Sequence, residues 1–113
     1  MSANARRGEI AARLDGRDYR LCLTLVALAE LESAFGVDDL NALAARFGGG
    51  RLSALDLARI LGAGLRGGGA ALSDDEVRAM RSEDGVAGFA RIVAALLTAT
   101  FGGAPVGAAP PDP

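Results

Sequence analysis

Few residues in this chain have the types and spacing that chemistry needs. Cys22 is the single thiol, and there is no histidine and no lysine anywhere. A cysteine nucleophile needs a base beside it, and none is available at ordinary spacing. Asp74, Asp75 and Glu76 are three consecutive acids that suggest a hard cation site. A calcium loop, however, spaces its acids alternately around a central glycine. Consecutive acids after Ser73 instead read as the first turn of a helix, where the helix dipole and a capping box favour them. Asp38 and Asp39 read the same way. Glu30 and Glu32 are two apart on a helix, so they point in different directions and make no acid–base pair. The run Gly62–Gly69 has the glycine content of a phosphate loop, but it lacks the lysine and the hydroxyl that would reach phosphate and magnesium. A dinucleotide fingerprint requires a preceding strand, and the preceding segment reads as helix. These patterns point to no catalytic residue, no metal and no cofactor, and to a protein that is not an enzyme.

Composition narrows the class further. The formal net charge is −2, with 12 basic residues, all of them arginine. They are spread singly apart from Arg6 and Arg7, so neutralisation of a phosphate backbone is a poor candidate activity. Arginine-only basicity with abundant alanine and glycine reads as a GC-rich genome rather than a mechanism. The first residues carry no apolar segment after their charges. No run approaches the roughly 20 apolar residues of a membrane span. The expected compartment is the cytoplasm, and no membrane or nucleic-acid partner is expected. A lone cysteine excludes an intrachain disulfide. Aromatic residues make up only 4% of the chain, so leucine, alanine, valine and isoleucine must build the core.

The elements that would position any functional surface are legible. Alternating runs flank Asp15-Gly16, the strongest short hairpin signal, because a type I′ turn needs positive φ at both central residues. A two-residue loop sets Leu14 opposite Arg17, Ala12 opposite Tyr19 and Ile10 opposite Leu21, which with Leu23 makes one apolar face. The other face sets Arg13 opposite Asp18, Ala11 opposite Arg20 and Glu9 opposite Cys22, with Arg13–Asp18 as a cross-strand ion pair. Thr24 caps a helix with Leu25, Leu28, Leu31 and Phe35 on one face, stopped by Gly36. Asp38 is expected to cap a short helix carrying Leu40, Leu43, Ala44 and Phe47. Ser53 caps a third helix with a stripe of Leu57, Ile60, Leu61 and Leu65. Gly62 and Gly64 inside it imply close helix–helix approach. Ser73 and Glu76 form a capping box, with Leu72 and Val77 as its hydrophobic staple, for a short helix ending near Ser82–Asp84. The last helix runs from about Val86 to Phe101, with Val86, Phe89, Ala90, Val93, Leu97 and Phe101 as its stripe, widened by Ile92 and Leu96. It is apolar enough to be the central helix or to be covered by a partner. The fold class is α+β and mostly α: an N-terminal β-hairpin, about residues 8–24, packed on about five short helices. Residues 1–6 are expected to be frayed, 7–102 to form one domain, and 103–113, which hold all four prolines, to be a disordered tail.

At these residues a resemblance enters. Arg7-Gly8-Glu9 with the Asp15-Gly16 hairpin, and the run Leu23–Glu32 leading to Phe35-Gly36, are similar to the small tail protein of gene transfer agents and related siphophages of alphaproteobacteria. So are Ile60–Gly69 and Leu97–Gly102. The resemblance covers about residues 7–102. That family is described both as a tail assembly chaperone and as a tail tube protein. A tube subunit is expected to be mostly β, because rings close by continuing sheets between subunits, and a helical majority fits the chaperone better. The resemblance implies binding to the tape-measure protein and the tail tube protein, which requires a surface that covers apolar helical segments. The helices at 25–35 and 86–101 are the candidates, through Leu25, Leu28, Leu31, Phe35, Phe89, Val93, Leu97 and Phe101. The alternative is a structural tube or tube-associated component of the particle, using the free hairpin edge to extend a partner's sheet. A small DNA-binding regulator is a third reading, for which the helix at 54–66 offers only Arg59 and Arg66.

Overall fold

A computed structural model of the chain describes residues 7–49 and 51–102. The expectations for residues 1–6 and 103–113 lie outside the described residues. The element order is β1 (Glu9–Leu14), β2 (Arg17–Cys22), α1 (Leu25–Phe35), α2 (Leu40–Gly48), α3 (Ala54–Gly67), α4 (Asp74–Arg78) and α5 (Gly85–Phe101). Among the described residues the architecture is the α+β class read from the sequence: one two-stranded antiparallel sheet and five helices.

The hairpin has the expected register, pairing Glu9 with Cys22 through Leu14 with Arg17. Asp15 (φ 53°) and Gly16 (φ 73°) supply the two positive-φ positions that a type I′ turn demands. Leu14, Leu21 and Leu23 are buried, with Ile10, Ala12 and Tyr19 packed against the same core. Arg13 Nη1 lies 3.0 Å from Asp18 Oδ1, and its Nε lies 3.2 Å from Glu83 Oε1.

Caps set the helix starts. Thr24 and Ser53 accept the N–H groups of Ala27 and Asp56, and Ser73 accepts that of Glu76. The α2 cap is Asp39 rather than Asp38, its Oδ1 accepting the Ala42 N–H at 2.7 Å. Both acids satisfy the cap preference, and the path of the backbone chooses between them. Gly36 ends α1 in the left-handed region, at φ 67°. The helix after Ser73 stops at Arg78, earlier than Ser82–Asp84, because the next residues have other partners. Met80 is buried, the Arg81 N–H donates to Asp15 Oδ1 at 2.8 Å, and Ser82 forms a β-bridge with Leu14.

The centre of the molecule is α3, not α5. Every residue from Ile60 to Leu65 is buried, and α3 packs on β2, α1, α4 and α5. Gly64 marks the tightest meeting point, since a Cβ there would lie 2.6 Å from Leu96 Cδ2 and 3.3 Å from Leu21 Cδ2. Gly62 has a different reason: a Cβ would lie 2.9 Å from Asp74 Oδ1, beneath the ion pair of Asp74 with Arg66.

Four members of the expected stripes fall outside the core. Leu25 is 79% exposed and Val86 76%, while Leu40 and Ala90 are also exposed. In α1 the buried arc is centred on Ala27, Leu28 and Leu31, and Leu25 lies beyond it. In α5 the arc is Gly88, Val93, Leu96 and Leu97, and Val86 and Ala90 lie outside it.

Candidate functional site

The hairpin edges come first, because they decide whether this sheet can continue into a neighbour. With a two-residue turn, the pairs Leu14–Arg17, Ala12–Tyr19 and Ile10–Leu21 exchange backbone bonds, so the Arg20 and Cys22 carbonyls point away from β1. The C-terminal end of α3 closes on both. A Cβ at Gly67 would lie 1.9 Å from the Cys22 oxygen, and one at Gly68 only 1.8 Å from the Arg20 oxygen. The free edge of β2 is therefore covered by helix backbone. On the other side, the Asp15 N–H donates to the Arg81 carbonyl at 2.9 Å beside the Leu14–Ser82 bridge, which covers the turn end of β1.

The polar side chains join helices to one another. Arg66 is held from three directions: Nη1 donates to the Leu72 carbonyl at 3.1 Å and to Asp74 Oδ1 at 2.9 Å, and Nη2 donates to Glu30 Oε1 at 3.0 Å. Glu30 is thus part of a tie between α1 and α3. Arg46 donates to Asp56 Oδ2 at 3.1 Å and sits 5.3 Å from the Phe35 ring centroid. Phe35 in turn meets the Phe47 ring edge-on at 5.2 Å. Asp56 is the buried carboxylate, 8% exposed, and closes a capping box with Ser53. Burial is the largest single influence on Asp56 and pushes its pKa up. The Ser53 backbone N–H, the Arg46 guanidinium and the Ser53 hydroxyl together outweigh that and hold it below 3.8. Glu76 is also lowered, below 4.5, chiefly by the Ser73 backbone N–H.

The Cys22 thiol is half-buried, with Sγ 3.8 Å from the Arg7 carbonyl oxygen. Asp74, Asp75 and Glu76 occupy the first turn of α4. Asp74 pairs with Arg66 and Asp75 with Arg78. No group of three or more His, Cys, Asp or Glu side chains is placed to hold a metal ion among the described residues. No helix among them is long and apolar enough to cross a membrane. The arginines of the 54–66 segment lie on the most enclosed helix, where a recognition helix would need an open face.

The eight partner-binding candidates are distributed through the fold. Leu28, Leu31, Val93 and Leu97 are core residues, and Phe35, Phe89 and Phe101 are half-buried against that core. Leu25 stands on the surface beside Val26, which is 77% exposed. Helices α1 and α5 each pack on α3. The outward faces of these two helices are nevertheless unusual. Along α1 the exposed residues are Leu25, Val26, Ala29, Glu30, Ser33 and Ala34, with Glu30 as the one charge. Along α5 the exposed residues after Gly85 are Val86, Ala87, Ala90, Arg91, Ala94 and Ala95, with Arg91 as the one charge and Asp84 as its ion-pair partner.

Sequence reasoning does not find an apolar cleft of ≈ 270 Å³ where the N-terminal half of α3, α4 and the start of α5 meet. Leu52, Leu57, Leu61, Met80, Val86 and Phe89 line it, and Arg78 contributes the charge. The available signal was an apolar arc on α3 wider than one neighbour needs, running from Leu57 to Leu61 on the side away from Ala63.

Comparison with known proteins adds one match. Searches of curated proteins and of solved structures give no significant match. A family model described as "Phage tail tube protein, GTA-gp10" matches residues 7–103, the hairpin and all five helices together. That span takes in each segment on which the resemblance rests, and the chain accordingly belongs to the family of phage tail tube protein, GTA-gp10.

Proposed function

We propose that this member of the family is a non-enzymatic tail assembly chaperone, which binds the tape-measure protein, the tail tube protein or both during tail morphogenesis of a gene transfer agent or prophage. The observation that carries the reading is the closure of the hairpin. A ring built by continuing sheets needs two open, complementary edges. Here the β2 edge is covered by Gly67 and Gly68, and the β1 edge is covered at its turn end by residues 81–82. Among the described residues, the outward faces of α1 and α5 are exposed and weakly charged. An amphipathic segment of a partner binds such faces through its own apolar side. In this reading the protein acts in the cytoplasm, before the tail is complete.

The test is co-expression with the tape-measure and tail tube proteins of the same gene transfer agent or prophage. Co-purification with at least one of them is expected, and failure to associate with either removes the reading. A second reading, a structural tube or tube-associated component, draws support from the description of the matched family itself. Mass spectrometry of purified particles separates the two. A chaperone is absent or scarce there, whereas many stoichiometric copies make the protein structural.

A further inference from the structure

The outward face of α1 borders a groove. Two adjoining hollows, ≈ 410 Å³ and ≈ 230 Å³, lie between α1 and α3 and share Glu30, Ala63 and Arg66. The first opens at Val26 and Gly67, the second at Ala34 and Arg59, so the two helices run antiparallel along one continuous groove. Its floor is small, with Ala63 at the middle. Exposed apolar side chains mark its ends. Val26 stands at one, and Leu55 stands one turn before Arg59 at the other. Leu55 and Gly67 are about 18 Å apart along the α3 axis, a length that about three turns of a partner helix would span. An extended segment pressed between two helices finds no backbone partners there, whereas a helix satisfies its own N–H and C=O groups.

Charge divides along the groove. Arg66 is bonded to both Glu30 and Asp74, so that cluster carries one net negative charge. Arg59 lines the same groove two turns earlier on α3 and is half-buried. Among the described residues its side chain has no ion pair and no hydrogen bond. Arg59 and Arg66 are about 10 Å apart along the axis, close to the screening length of about 8 Å at physiological salt. Each position therefore keeps its own sign: positive beside Leu55, negative at the middle. We propose that the α1–α3 groove seats an amphipathic helix of the tape-measure or tail tube protein, with an acid facing Arg59 and a base two turns away facing the Glu30–Arg66–Asp74 cluster. Residues two turns apart share one helix face, so both charges point into the groove. Apolar side chains of that helix rest on Val26 and Leu55, and a small residue crosses Ala63. The inference rests on the chaperone reading and adds to it the seat and the chemistry of the bound segment.

The full chain, co-expressed with the tape-measure and tail tube proteins of the same gene transfer agent or prophage, tests it. A photoreactive benzoylphenylalanine is placed at Val26 or at Leu55, both exposed sites. The two positions are expected to cross-link to one partner at sites about 12 residues apart, the helical spacing for about 18 Å. An extended segment would be cross-linked at sites about five residues apart. Arg59→Glu is expected to lower partner recovery about tenfold or more, because a like charge then faces the acid. Arg59 has no side-chain bond to lose within the chain, so the variant keeps the wild-type circular dichroism. Arg17→Glu on the hairpin and Ala94→Glu on the outward face of α5, both at exposed sites, are expected to recover the partner like wild type. Three results overturn the inference while the chaperone reading stands: cross-links at the extended spacing or to unrelated segments, undiminished recovery by Arg59→Glu, or an equal loss in either control variant. Recovery of neither partner by the wild-type chain removes both.

Discussion

Gly68 and Gly49 offer a comparison in which only the neighbour differs. Both follow a helix with ordinary right-handed backbone, Gly68 at φ −83°, ψ −2° and Gly49 at φ −67°, ψ −10°. Alanine can adopt either conformation without strain. At Gly49 a new Cβ finds its nearest neighbour 3.6 Å away, an ordinary contact. At Gly68 it would lie 1.8 Å from the Arg20 carbonyl oxygen and 2.7 Å from the carbon behind it. Both are backbone atoms, so no side chain can swing aside. To reach even a close contact, the end of α3 and strand β2 must separate by more than about 1 Å, through a core packed at crystal-like density. Overpacking that flexible side chains partly absorb costs about 1–3 kcal/mol. A rigid clash between two backbones belongs at or above the top of that range, so Gly68→Ala is expected to lose about 3 kcal/mol or more. For a domain of this size that lowers Tm by at least about 12 °C. Gly49→Ala is expected to be neutral or to gain up to about 1 kcal/mol, by restricting the unfolded chain. Urea unfolding followed by circular dichroism reads both. If Gly68→Ala unfolds within about 0.5 kcal/mol of Gly49→Ala, a margin typical of unimportant surface sites, the account of the closed β2 edge is wrong.

Three further outcomes are expected. Arg66→Met removes the bonds that join α1, α3 and α4. Exposed ion pairs contribute under about 1 kcal/mol each and the Leu72 carbonyl bond about 1, so urea unfolding should show a loss of about 1–3 kcal/mol. Asp39→Ala should cost about 1 kcal/mol as a lost cap, while Asp38→Ala should stay within about 0.5, and a reversal would contradict the observed cap geometry. Asp56 and Glu76 are held below their ordinary values of 3.8 and 4.5, so the folded state binds their protons less readily than the unfolded chain does. The stability they contribute is complete above those ordinary values and is lost as pH falls through the lower folded ones. Urea midpoints measured from about pH 5 downward should therefore decline, and less steeply in Ser53→Ala, which removes a hydrogen bond from Asp56.

Local chemistry carried much of the fold. Asp15-Gly16 sufficed for the turn, and the turn for the register, because a two-residue loop leaves the strands no other pairing. Thr24, Ser53 and Ser73 marked their helix starts, since a cap is a bond between residues three apart. Where two neighbours satisfied the same local rule, the expected cap was Asp38, and Asp39 took it. The stripes were read correctly as helical and incorrectly in phase at Leu25, Leu40, Val86 and Ala90. Periodicity marks an apolar arc, but how much of that arc a neighbour covers depends on where the neighbour ends.

Absence of lysine and histidine, charge, register and helix content were properties of the chain by itself, because each depends on composition or on residues a few positions apart. The partner surfaces were not. Tertiary structure decided that α3 lies at the centre, that Leu28, Leu31, Val93 and Leu97 are spent on the core, and that Gly67 and Gly68 close the β2 edge. It also assembled the cleft at Leu57, Val77 and Phe89 from three helices. The reason is physical. A buried leucine and a docking leucine have the same side chain and the same helical spacing, and only the presence of another element within van der Waals reach distinguishes them.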